Sequence, residues 1–168
     1  MVANLGDAGS DGLVMEVLAL ANDSTEVGFN AQWVTAETSS PLADGSAPSG
    51  SRLPQVPEFK GNLWLEKSIP IGFMGADESF FRASVAYTGD SVSAVQPGYS
   101  FLQKSYTIVD VKYGIIGDDW EASIFVSNLT DERAEIAVND WYFDYFFGRG
   151  RQYTNRPREF GIRFTKSW

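Results

Sequence analysis

The sequence predicts an all-β fold: one antiparallel sheet or barrel segment of about eight strands, forming a single unit over residues 1–168. Three observations predict it. Nearly every ordered stretch alternates apolar and polar residues with a period of two, and helix-period signals are weak. Gly, Pro, Asn and Asp clusters separate the stretches. Most stretches run nine to twelve residues, longer than the usual five or six and close to the roughly 9–11 of a tilted strand that crosses a bilayer.

The first strand is expected at 12–22, where Leu13, Met15 and Val17 oppose Glu16. At 25–36, Val27, Phe29, Ala31 and Trp33 oppose Asn30 and Gln32. At 58–70, Leu63 and Leu65 oppose Asn62, Trp64 and Glu66, and at 78–89 Phe81, Ala83, Val85 and Tyr87 oppose Arg82 and Ser84. A hairpin follows. Val109, Val111, Tyr113 and Ile115 oppose Asp110 and Lys112 within 104–116. After Gly117-Asp118-Asp119, Trp120, Ala122, Ile124 and Val126 oppose Glu121, Ser123 and Ser127 within 119–128. A seventh strand is read at 133–143 from Ile136 and Val138 against Glu135 and Asn139. The eighth, at 158–168, sets Phe160, Ile162 and Phe164 against Gly161, Arg163 and Thr165. Long connections are expected at 37–57, 90–103 and 144–157.

Composition narrows the chemistry. Lys plus Arg number 13 against 22 acids, a net charge of −9 that argues against a nucleic-acid partner. Cys and His are both absent, so disulfides, thiolate chemistry and the commonest general base and metal ligand are excluded. No apolar run reaches the length of a membrane-spanning helix, and the first ten residues lack the basic and apolar regions of a signal peptide. No cofactor and no catalytic or metal-binding residue is expected. The glycines of Gly45 to Arg52 are spaced like a phosphate loop, but the Lys-Ser/Thr pair is missing. Asn22-Asp23-Ser24 and Asn128-Leu129-Thr130 fit glycosylation sequons, yet both read first as tight turns. Asp118, Asp119 and Glu121 are too few and too close for a calcium loop. Glu66, Asp110 and Glu121 share a polar face, with nothing to mark any of them as a catalytic acid.

Alternation gives each strand two unlike faces without saying which is inside. In a soluble sandwich the apolar face is the core; in a membrane barrel it meets lipid. Trp33, Tyr87, Tyr106, Tyr113, Trp120, Trp141, Tyr142 and Trp168 gather toward strand limits, as interfacial girdles do, which favours the second arrangement. Glu16, Arg82, Asp110, Lys112, Glu121 and Arg163 then become candidates for a lumen-facing surface.

Several segments, in order, carry a family resemblance. "GSRLPQVPEFKGNLWLEKSI" contains a Leu-Pro-x-x-Pro turn leading into a strand, and "YTIVDVKYGI" is followed by "DDWEASIFVSNLTDERAEI" with its Asn-Leu-Thr-Asp turn. "RPREFGIRFTKSW" closes the chain on an aromatic, and "NLGDAGSDGLVMEV" fits more loosely. Together they resemble the C-terminal end of the barrel of TonB-dependent outer-membrane receptors. The resemblance implies an outer-membrane location, uptake of a small-molecule nutrient such as a siderophore, cobalamin or a saccharide, and outer-membrane lipid as surroundings. It implies no enzymatic activity. Phe160, Gly161, Ile162, Phe164 and Trp168 would form the signal read by the barrel-assembly machinery, from which this sequence departs at Lys166. The family's plug and energy-coupling box have no counterpart here, so the chain is expected to be a C-terminal piece that engages the TonB complex only through a missing N-terminal region.

With eight strands and Trp168 at the periplasmic side, Asn128 to Asp131 would form a periplasmic turn. The 37–57 and 90–103 connections would also be periplasmic, with 144–157 outside. Trp141, Tyr142, Tyr145, Arg149 and Arg151 are the candidates for ligand contact from that external loop. Two rivals are a soluble all-β module that binds a sugar or apolar ligand, and a self-closing eight-strand membrane barrel.

Overall fold

The computed structural model describes residues 6–139 and 151–168. Its main body is a seven-stranded antiparallel sheet in the order β1-β2-β3-β4-β7-β8-β11. The strands are β1 (Ala8–Asn22), β2 (Thr25–Thr38), β3 (Phe59–Phe73), β4 (Ala76–Thr88), β7 (Tyr106–Ile116), β8 (Trp120–Ser127) and β11 (Glu159–Lys166). Between them lie two small hairpins, β5 (Ser91–Val92) with β6 (Leu102–Gln103) and β9 (Glu135–Asn139) with β10 (Arg151–Thr154). β1 and β11 are the open edges, so the described sheet does not close.

The strand expected at 133–143 is the one that differs. Residues 140–143 lie outside the described residues; the described part forms β9, which pairs with β10 outside the main sheet, while β8 pairs directly with β11. The alternation of Ile136 and Val138 is real, but period two says nothing about which strand is the partner.

Removing that strand reverses, relative to Trp168, the sidedness of every connection that precedes it. At one end of the sheet the chain turns in two or three residues: Asp23-Ser24, Met74-Gly75 and Gly117-Asp118-Asp119. Met74 and Gly75 both have positive φ, 54° and 78°, the pairing that lets a two-residue turn follow the strand twist. Trp168 lies at this short-turn end. All three long connections, 39–58, 89–105 and 128–158, emerge from the other end. The sequence-based placement of 37–57 and 90–103 beside Trp168 is thus corrected, and Asn128 to Asp131 lies with the long connections.

Few side chains of the sheet are buried. Among the described residues, an apolar cluster of buried residues sits in the long connections, where Leu42, Ala47 and Val95 pack with Leu53. The same two connections are tied by Arg52, which donates to the Asp90 carboxylate at 2.9 Å and to the Asp90 carbonyl, and by Gln55 N–H donating to the Val92 carbonyl. No second layer covers the sheet among the described residues. Phe160 and Ile162 remain 73% and 83% exposed. A soluble sandwich needs its apolar face as a core, and this sheet lacks one. Among the described residues no helix is long and apolar enough to cross a membrane, which says nothing of strands.

Candidate functional site

The ladders decide which residues share a face. Val17, Phe29, Leu63, Val85 and Val109 form one continuous cross-strand row. Ala19, Val27, Leu65, Ala83, Val111, Val126 and Phe160 form the next. At the long-connection end of this apolar face, Trp33 packs on Phe59 at 4.9 Å and Phe59 on Tyr87 at 5.9 Å between ring centroids. At the short-turn end, Trp120 stacks on Phe164 at 6.3 Å. Lys166 lies there too, 3.3 Å from Asp119 and 5.5 Å above the Trp168 ring. A lysine two residues from the terminus therefore sits at the boundary of the apolar face, where its stem covers apolar surface while its charge reaches water. Tyr113 lies within the apolar face, and Tyr106 lies on the opposite, polar face as the register partner of Thr88. Tyr106 is therefore no part of either aromatic group. Trp141 and Tyr142 are outside the described residues.

All six lumen candidates fall on the polar face. Arg82 is the register partner of Glu66 and of Lys112, Asp110 of Ser84, and Arg163 of Ser123; Glu16 pairs with Asn30, and Glu121 with Ile116. Their surroundings are unequal. Arg82 meets Glu66 at 3.2 Å, and Lys112 meets Glu121 at 2.7 Å. Asp110 accepts a hydrogen bond from the Asn128 N–H at 2.8 Å, so it braces a turn rather than standing free. The carboxylates considered for hydrolytic chemistry are each engaged in this way. Glu16 shares its side of β1 with Val14, Leu18 and Leu20, all exposed, so that edge strand is apolar on both faces.

A repeated arrangement on this face was not foreseen from the sequence. Three large rings lie over glycines that are their register partners: Trp64 over Gly28, Phe80 over Gly114 and Phe125 over Gly161. A Cβ at any of the three glycines would overlap the ring. Each ring also carries a cation: Arg82 is 4.4 Å from the Trp64 centroid, Lys112 4.8 Å from Phe80, and Arg163 5.9 Å from Phe125. The rings cover backbone that glycine leaves bare, and the cations take the electron-rich ring faces. The partners lie 34 to 36 positions apart in the chain, so only the register reveals them.

Side-chain hydrogen bonds brace the described part of the long-connection end. Asn128 is buried with φ 52°; its Nδ2 donates to the carbonyls of Glu132 and Arg156, and its Oδ1 accepts from the Glu132 N–H. Asn155 repeats the role, accepting from Ala134 N–H and donating to the Glu132 carbonyl. The backbone N–H of Arg158 bonded to Asp131, with help from the Arg133 charge, holds that carboxyl below its usual range. The Arg52 hydrogen bond does the same for Asp90. Of the ligand-contact candidates, Trp141, Tyr142, Tyr145 and Arg149 lie outside the described residues, and Arg151 opens β10. Phe160, Gly161, Ile162 and Phe164 lie in β11, and Trp168 ends the chain two residues beyond it.

Solved structures similar to this antiparallel sheet are TonB-dependent receptors. The chain is similar in structure to the ferric yersiniabactin uptake receptor FyuA from Yersinia pestis, with a TM-score of 0.77 and 18% identity over 96% of this chain and 24% of that one. It is also similar to the ferric-catecholate import receptor Fiu from E. coli, with a TM-score of 0.65 and 21% identity over 94% of this chain and 20% of that one. The chain thus spans about a quarter or less of the length of these receptors. No protein-family model matches the sequence, and no curated protein sequence matches it. The resemblance read from the sequence is matched at the level of fold.

Proposed function

We propose that the chain is a C-terminal segment of the barrel of a TonB-dependent outer-membrane receptor, which in its intact form imports a scarce small-molecule nutrient of the siderophore, cobalamin or saccharide class. The observation that carries this reading is the uncovered apolar face bounded by aromatic groups at both ends. That face suits lipid, and the charged face suits a lumen. Strands of 13 to 15 residues reach roughly 43–50 Å, so even tilted about 40° they cross the ~25 Å apolar band of such barrels. The short-turn end with Trp168 would face the periplasm and the long-connection end the outside, in keeping with the usual division of short and long connections. The lumen candidates would line the interior, the 128–158 connection would help admit ligand, and β11 with Trp168 would be read by the assembly machinery. The TonB complex would be engaged through a region outside this chain.

Refolding with and without detergent micelles, followed by circular dichroism and gel mobility before and after heating, tests the reading. The expected result is a β spectrum and a heat-sensitive band in detergent alone. A cooperatively folding β monomer in plain buffer would overturn it.

A further inference from the structure

The two open edges of the sheet cannot satisfy each other. An odd number of strands, each antiparallel to the next, leaves β1 and β11 running the same way, from the long-connection end to the short-turn end. Joining them would need a parallel ladder, unlike every ladder the sheet contains. Two copies of the chain in one membrane orientation meet the same restriction. The edge of β11 therefore calls for a strand that runs the opposite way and comes from another segment.

The polar face says what that strand should carry. Arg82 and Lys112 each rest on a ring and meet a carboxylate, Glu66 and Glu121 respectively. Arg163 rests on the Phe125 ring in the same manner, but none of the ion pairs within 4 Å among the described residues includes it. The nearest acid on β8 is Glu121, the register partner of Thr165, and Lys112 already holds it at 2.7 Å. Arg163's other flank is the open edge.

A barrel segment takes an antiparallel neighbour at this edge; we propose that the strand completing β11 carries a carboxylate on its polar face opposite Arg163. A carboxylate there would complete the ring, cation and acid set seen twice in the interior of the sheet. The inference rests on the sheet being a barrel segment. Detergent-dependent folding tests that premise and the following experiment tests the edge, so the two can fail separately.

The full chain, folded in detergent, is mixed with two ten-residue alternating peptides that differ only in Glu or Lys at the position facing Arg163. Each carries a photo-crosslinker at its N-terminus. The Glu peptide is expected to bind roughly two- to five-fold tighter, the range of an opposite-charge cross-strand pair. Arg163→Glu should reverse the preference and Arg163→Gln should flatten it, the second variant guarding against misfolding of the first. Crosslinks should fall at residues 165–168, as an antiparallel strand requires. An unchanged preference in both variants, crosslinks near 159–161 or on β1, or edge-to-edge crosslinks between copies would overturn the proposal.

Discussion

Asn128 is the side chain whose loss should be felt most clearly at the long-connection end. Its amide makes three hydrogen bonds of 2.9–3.1 Å, to Glu132 twice and to Arg156, while its backbone sits at φ 52°. Asn128→Ala removes all three and asks a residue with a Cβ, and no compensating side-chain bond, to hold a left-handed conformation. At about 1 kcal/mol net per hydrogen bond and ~1 kcal/mol for the backbone, the local cost is on the order of 4 kcal/mol. Asn128→Gly should recover the backbone part alone, leaving about 3 kcal/mol. The Asp110 carboxylate would keep its partner, since it accepts from the backbone N–H of residue 128. The assay is limited trypsinolysis of the full chain folded in detergent, followed by mass spectrometry at Arg133 and Arg158, since Pro157 blocks cleavage after Arg156. If cleavage is fast relative to reclosing, it reports opening rate; protease is therefore kept low so that it reports the open population. Cleavage should accelerate by two to three orders of magnitude in Asn128→Ala, less in Asn128→Gly, with the rest of the sheet unaffected. Equal cleavage in wild type and Asn128→Ala would refute the view that this amide closes the base of the connection.

Other expectations can be checked on the same material. Val85→Arg places a charge in mid-row on the apolar face and should destabilise the detergent- or lipid-folded state by roughly 2–4 kcal/mol, read by denaturant titration in lipid; no loss would argue against a lipid-facing surface. Gly161→Val should displace the Phe125 ring and lower the unfolding midpoint, with Phe125→Ala in the same chain relieving the clash. Arg52→Ala should speed amide hydrogen exchange in both 39–58 and 89–105, because one guanidinium ties the two connections. Acidification should loosen the same tie. The Arg52 hydrogen bond holds the folded Asp90 carboxyl below its ordinary value, so its contribution is present above that ordinary value and fades as pH falls through the lower folded one. Exchange protection at Gln55 followed against pH gives the answer.

How much of this could be read in advance follows from what alternation encodes. Period two fixed which residues of β2, β3, β4, β7, β8 and β11 share a face, because that is a property of a single strand. It could not say that β9 pairs with β10 and leaves β8 to β11, because pairing depends on a second segment. That one error inverted the placement of two long connections. Tyr106 shows a smaller limit: an aromatic at a strand end reads as a girdle residue, yet its parity with Asp110 and Lys112 puts it on the polar face. That Arg82, Lys112 and Arg163 each lie on the polar side of their strands is legible from alternation, while the rings beneath them are not, since each ring and its glycine are brought together only by the ladder.

The division of turns between the two ends also sets an order of assembly. Asp23-Ser24, Met74-Gly75 and Gly117-Asp118-Asp119 close β1–β2, β3–β4 and β7–β8 as local hairpins, each needing only a small loop to be drawn shut. Such contacts form on microsecond scales, whereas joining one hairpin to the next means closing 39–58 or 89–105, and adding β11 means closing 128–158. The sheet should therefore zip upward from the short-turn end in three independent units. β11, drawn in across the longest of the three connections, should dock last, so both of its edges stay open to whatever guides insertion until then.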